Sequence, residues 1–135
     1  MPHEIRLAGP WEFSTDDGSM WNRCVLPFDA AQDEISATAV VRVRRRFHKP
    51  SGLEPSSVVS IIVAADHEVG QIVLNDCQHS ASTVEREEQL PSSVTSHFRV
   101  DELLNEFNTL QLTVSAATPG LASTIHTTRL RIVDV

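Results

Sequence analysis

Apolar residues in this chain fall at alternate positions in short runs, and proline, glycine or an Asn-Asp pair closes almost every run. Side chains along a strand point to opposite faces in turn, so a period of two marks a half-buried strand. The pattern predicts strands at Glu4–Leu7, Trp11–Ser14, Arg23–Leu26, Thr38–His48, Val58–Ala65, Gln71–Leu74, His97–Val100, Thr109–Ser115 and Thr127–Val133. Gly9-Pro10, Asp17-Gly18, Pro50-Ser51-Gly52, Asn75-Asp76 and Pro119-Gly120 are the turn signals between them. Only Asp101-Glu102-Leu103-Leu104-Asn105 reads as helical, a turn or two with Asp101 as its N-cap. The polar stretch from Ser80 to Ser96, with Glu85, Glu87, Glu88 and Pro91, reads as a mobile loop. So many strands in 135 residues imply an all-β fold, a two-layer antiparallel β-sandwich of jelly-roll type, with residues 1–135 as one domain.

Individual runs say which faces are wet. Val41, Val43 and Phe47 share one face with Arg45, while Arg42, Arg44 and Arg46 share the other, so that strand is dry on one side only. Val58-Val59-Ser60-Ile61-Ile62-Val63 reads instead as buried on both sides. Trp11, Phe13, Trp21, Phe28, Phe47 and Phe98 are the expected aromatic core, and there is no tyrosine. That leaves few rings for stacking on a ligand.

Charge and composition narrow the function classes. With 18 acidic and 11 basic residues the net charge is −7, which disfavours nucleic acid and anionic membrane as partners. No apolar run approaches the ~20 residues of a membrane span. Met1-Pro2-His3-Glu4 lacks the basic and apolar regions of a secretory signal, so a cytoplasmic protein is expected, with a fragment of a longer chain left open. Cys24 and Cys77 are too few for a disulfide framework. Two buried thiols are expected, and a single bridge between them stays open.

Several phrases in order carry a family likeness: Gly9-Pro10-Trp11-Glu12-Phe13, Trp21-x-x-Cys24-Val25-Leu26-Pro27 and Arg45-Arg46-Phe47-His48-Lys49-Pro50. Ile72-Val73-Leu74-Asn75, Phe98-Arg99-Val100-Asp101-x-Leu103 and Asn108-Thr109-Leu110-x-Leu112-x-Val114 continue it. Together they resemble the N-terminal sugar-binding domain of glycoside hydrolase family 2, the β-galactosidase and β-glucuronidase group, over nearly the whole chain. The resemblance implies a galactose-binding-like jelly roll. It also implies a chain that hydrolyses nothing alone, because the family's catalytic glutamates belong to a separate barrel of ~250 residues. Two departures stand out. Asn75-Asp76 occupies the hairpin where the family has Asn-Gly, and the stretch from Ser80 to Phe98 lacks the family's glycine- and aromatic-rich loop.

Candidate site residues are weighed against plainer roles. Asp66-His67-Glu68, at a predicted strand end, is the most concentrated polar group and, with His79, forms the candidate ligand-binding set. The other histidines, His3, His48, His97 and His126, lack the spacing of a metal site. Asp16-Asp17-Gly18-Ser19 suggests an oxygen-rich loop for a structural calcium but lacks the later carboxylate of the twelve-residue pattern, and an Asp-Gly turn is the simpler reading. No other cofactor is expected. No nucleophile motif or phosphate loop is present, and the Arg42/Arg44/Arg46 stripe reads as a solvated sheet face.

The expected function is therefore a non-catalytic carbohydrate-binding module. Its alternative is a sandwich that pairs with a protein partner or with itself, and an enzyme of unfamiliar type comes third. A saccharide ligand should be met by a cluster of amide and carboxylate groups, or by exposed rings, at the loop end of the sandwich.

Overall fold

The computed structural model describes residues 3–15, 19–30, 40–87, 93–115 and 120–134. Twelve strands occur among them: β1 (His3–Arg6), β2 (Trp11–Ser14), β3 (Asn22–Cys24), β4 (Phe28–Asp29), β5 (Val41–His48) and β6 (Ser57–Ala65). These are followed by β7 (Gln71–Leu74), β8 (Cys77–Ser80), β9 (Thr83–Glu87), β10 (Ser93–Arg99), β11 (Phe107–Val114) and β12 (Thr124–Asp134). They form two sheets of six strands. Sheet I runs β3-β2-β5-β11-β7-β8, and sheet II runs β1-β12-β6-β10-β9 with β4 beside β12. Every pairing is antiparallel.

Alternation builds the layer between the sheets. Val43, Leu112, Leu110 and Ile72 from sheet I and Ile61, Phe98 and Leu130 from sheet II are all buried in one core cluster. Trp11 is completely buried there, and its indole Nε1 donates to the Leu7 carbonyl at 2.9 Å, so burial leaves no orphan donor. Phe13, one pleat along, packs on the edge of the same cluster and lies 5.4 Å from Phe28. Arg45 points inward with Val43 and Phe47, and the structure resolves the conflict at the rim. Its Nε donates to the Ala8 carbonyl and its Nη1 to the Arg46 carbonyl at 2.8 Å, while burial lowers its pKa.

Four expectations are corrected. The predicted loop from Ser80 to Ser96 contains β9 and the start of β10, hydrogen-bonded to each other from Thr83↔His97 to Glu87↔Ser93. Both β8 and β9 are edge strands with mostly exposed side chains, so neither carries the apolar alternation that marks a strand. The helix predicted from Asp101 is a single turn over residues 101–103, closed by the Leu103 amide on the Val100 carbonyl at 2.8 Å. One turn cannot repay its own nucleation. Trp21 is half-buried rather than core, its ring covered by the Arg44 guanidinium 3.8 Å above its centre. Cys77 is exposed and Cys24 half-buried, both as free thiols. They lie on β8 and β3, the two opposite edges of sheet I, so about five inter-strand spacings, ~24 Å, separate them and no bridge can form.

Burial of β6 on both faces holds only at its middle. Ile62 is fully buried on the outer side, while Val58, Ser60 and Ala64 are half-exposed.

The Asn75-Asp76 turn takes the left-handed form expected of it, with φ of 52° and 67°. It joins β7 to β8 and so sets the register of the sheet edge on which the candidate site lies.

Candidate functional site

The outer face of sheet I is polar because its strands alternate. Ile72, Leu74, Leu110 and Leu112 go to the core, which sends Gln71, Val73, Gln111 and Thr113 outward. Antiparallel register then aligns these with β8: Gln71 faces Ser80, Val73 faces Gln78, and Gln111 faces Val73 from the other side. Three carboxamides, from Gln71, Gln78 and Gln111, thus converge over Val73. Cross-strand neighbours stand about 5 Å apart, so one small ring can touch several of them.

Two crossings between the sheets wall this patch into a groove of about 510 Å³. One is residues 66–70, which carry the chain from β6 to β7, and the other is Gly120-Leu121-Ala122 leading to β12. Glu68 places a carboxylate on the rim, and the Ser80 and Thr113 hydroxyls complete the polar lining. The volume falls within the range of small-ligand sites. Chemically the groove offers amide donors and acceptors, hydroxyls and one carboxylate around an apolar floor.

The four sequence-nominated ligand residues divide. Glu68 lines the groove, and its Oε2 accepts from Arg86 Nη2 at a long 3.5 Å. Asp66 is turned the other way. Its carboxylate accepts the Ser123 amide at 2.9 Å, the Ser123 hydroxyl at 2.5 Å and the Thr124 amide at 3.1 Å. Partial burial pushes the Asp66 pKa up, but the Ser123 hydroxyl and the Thr124 and Ser123 amides outweigh it and hold the carboxyl below the ordinary range. The residue clamps the end of β6 to the start of β12, beside one wall of the groove. His67 Nδ1 lies 3.3 Å from the Glu68 carbonyl oxygen. His79 sits on β8 opposite Ile72, on the pleat that faces away from the amides. Neither histidine lines the groove. Asp16 and Asp17, nominated for calcium, lie outside the described residues. Among the described residues no three His, Cys, Asp or Glu side chains come together as a metal site.

Gln71, Gln78, Gln111, Ser80 and Thr113 were not nominated from sequence. The outward parity of Gln71 and Gln111 was readable from the alternation, but which outward residues become neighbours depends on register across β11, β7 and β8. Beyond Gln111 the same face continues to Arg44, whose Nε donates to Glu12 Oε1 at 3.1 Å under the Trp21 ring.

The chain matches no protein-family model and no curated protein. Solved structures do share its fold. An FMN-binding β-glucuronidase from Faecalibacterium prausnitzii superposes with a TM-score of 0.66 at 16% identity, over 99% of this chain and 23% of its own. A glycosyl hydrolase family 2 member from Bacteroides cellulosilyticus gives 0.68 at 15% identity, over 97% of this chain and 21% of its own. A β-glucuronidase from an uncultured Clostridium gives 0.63 at 14% identity, over 98% of this chain and 29% of its own. The chain thus spans less than a third of the length of each of these proteins, and it has the fold of one β-sandwich domain of family 2 glycosyl hydrolases.

Proposed function

We propose that the chain is a carbohydrate-binding module that holds a saccharide in the groove of sheet I without turning it over. The observation that carries this reading is the convergence of the Gln71, Gln78 and Gln111 carboxamides on one open groove. Sugar hydroxyls are both donors and acceptors, and so is each carboxamide. A sugar ring also has an apolar face, for which Val73 supplies a floor. The fold shared with family 2 glycosyl hydrolases supports the same reading. Hydrolysis uses two carboxyl groups flanking one glycosidic bond, and Glu68 supplies the one carboxyl among the described residues that line the groove.

Assembly through a sheet edge has less behind it. The edge strands β1, β3, β8 and β9 are four, three, four and five residues long, and short edges resist pairing with another chain.

A two-dimensional NMR titration of the labelled chain with mono- and oligosaccharides tests the reading. Saturable shifts confined to the amides of Gln71, Gln78, Gln111 and residues 120–122 are expected. A spectrum that no saccharide moves would overturn it.

A further inference from the structure

We infer that the groove selects uncharged sugar rings and rejects uronates, with Glu68 as the residue that decides between them. The inference rests on the saccharide reading above and adds the ligand's charge to it.

The charge balance of the lining carries the inference. Glu68 is the single ionisable side chain among the described residues that line the groove, and the remaining polar lining is amide, hydroxyl and backbone. A carboxylate on a sugar needs a cation or several N–H donors to replace its water. Of the nearby cations, Arg44 and Arg42 have partners elsewhere, and Arg86 lies against Glu68 itself. Arg86 approaches Glu68 at 3.5 Å with 62% of its side chain exposed, a loose, solvent-screened contact from outside the lining that offsets the carboxylate only in part. Arg44, next to Gln111 in register, is paired with Glu12 at 3.1 Å and covered by Trp21. Arg42, next to Thr113, already has a partner of its own. The whole chain, at −7, adds repulsion at longer range.

A uronate whose carboxylate comes to about 6 Å from Glu68 meets a like charge. Two like charges at that distance in a half-solvated site change an affinity about tenfold. An uncharged ring meets no such penalty, and a carboxylate rim can accept hydrogen bonds from its hydroxyls.

Matched pairs of methyl glycosides test the inference: glucoside against glucuronide and galactoside against galacturonide, titrated into the labelled chain and into its Glu68→Gln variant. Glu68 has 42% of its side chain exposed, so the variant should keep the wild-type spectrum away from the groove. The expected result is saturable shifts at Gln78 and Gln111 with a neutral member, at least about tenfold weaker binding of its uronate, and a gap of about threefold or less in Glu68→Gln. A uronate that binds as tightly as its neutral partner overturns the selectivity and leaves the saccharide reading standing. A gap that Glu68→Gln does not narrow removes Glu68 as its cause. Silence from both members of every pair overturns the saccharide reading and this inference with it.

Discussion

The Asn75 side-chain amide donates to Asn108 Oδ1 at 2.9 Å, joining a turn residue of φ 52° to a residue that is 2% exposed on the neighbouring strand. Both carboxamides are bonded through oxygen and nitrogen alike. The Thr109 backbone amide donates to Asn75 Oδ1 at 2.9 Å, and the Asn75 backbone amide donates to the Thr109 carbonyl at 3.0 Å. Asn108 Oδ1 also accepts the Asn105 amide, and Asn108 Nδ2 donates to the Asn105 carbonyl, each at 2.8 Å. The β7–β8 hairpin that carries Gln71 and Gln78 is thereby tied to the strand that carries Gln111.

Asn108→Ala removes the side-chain bonds to Asn75 and Asn105 at once and leaves part-buried donors and acceptors unpaired. A loss of about 2 kcal/mol or more is expected from urea denaturation, with the hairpin amides shifted most in the NMR spectrum. A loss under about 0.5 kcal/mol would show that water or a local shift satisfies the same groups.

Gln111→Ala and Gln78→Ala test the groove apart from the fold. Both residues are on the outer face of sheet I, and exposed or half-exposed changes of this kind stay within about 0.5 kcal/mol of the parent in stability. Saccharide affinity should fall about fivefold or more for each, as two hydrogen bonds are lost per amide. Unchanged affinity in both would move the site elsewhere.

Acid should destabilise the chain through Asp66. Its folded pKa lies below its unfolded value, so its contribution is fully present above the unfolded pKa, about 4, and is lost as pH falls through the folded one. Asp101, whose pKa is lowered first by its hydrogen bond from Arg99 Nε at 2.8 Å, acts in the same direction but more weakly, because its partner Arg99 is 62% exposed. The urea midpoint followed from pH 6 downward should decline, and Asp66→Asn should flatten that decline. A parallel decline in the variant would clear Asp66.

The two thiols should differ in reactivity. Burial first, and the Glu12 charge second, push the Cys24 pKa up to about 11, whereas Cys77 is exposed on an edge strand. Iodoacetamide at neutral pH is expected to label Cys77 alone, as read by peptide mass spectrometry. Under oxidation any disulfide should join two molecules. A Cys24–Cys77 peptide recovered from the monomer would contradict the strand order of sheet I.

Trp21 reports on the outer face. Arg44→Ala uncovers its ring and unpairs Glu12, which should cost about 1 kcal/mol and move its fluorescence to longer wavelength, while fully buried Trp11 stays as it was. No spectral change would mean that the guanidinium does not shield the ring in solution.

Alternation alone determined the main layers of this protein. The period of two read in Trp11–Ser14, Thr38–His48, Gln71–Leu74 and Thr109–Ser115 sorts most side chains into core or solvent before any pairing is known, because a strand has only two faces; buried Ser14 and inward Arg45 depart from it. The turn at Asn75-Asp76 was legible for a similar local reason, since few residue types accept a positive φ. What needed the tertiary structure was everything set by neighbours distant in sequence. Edge strands β8 and β9 bury too little to carry a pattern, so only their partners across the ladder define them. Trp21 leaves the core because Arg44 offers its ring a cover on the outer face. Asp66 and Glu68, two residues apart in the chain, part ways because backbone amides at Ser123 and Thr124 claim the first and leave the second on the groove. The groove itself exists only where strand register brings Gln71, Gln78 and Gln111 together, and register is a property of paired strands rather than of any one of them.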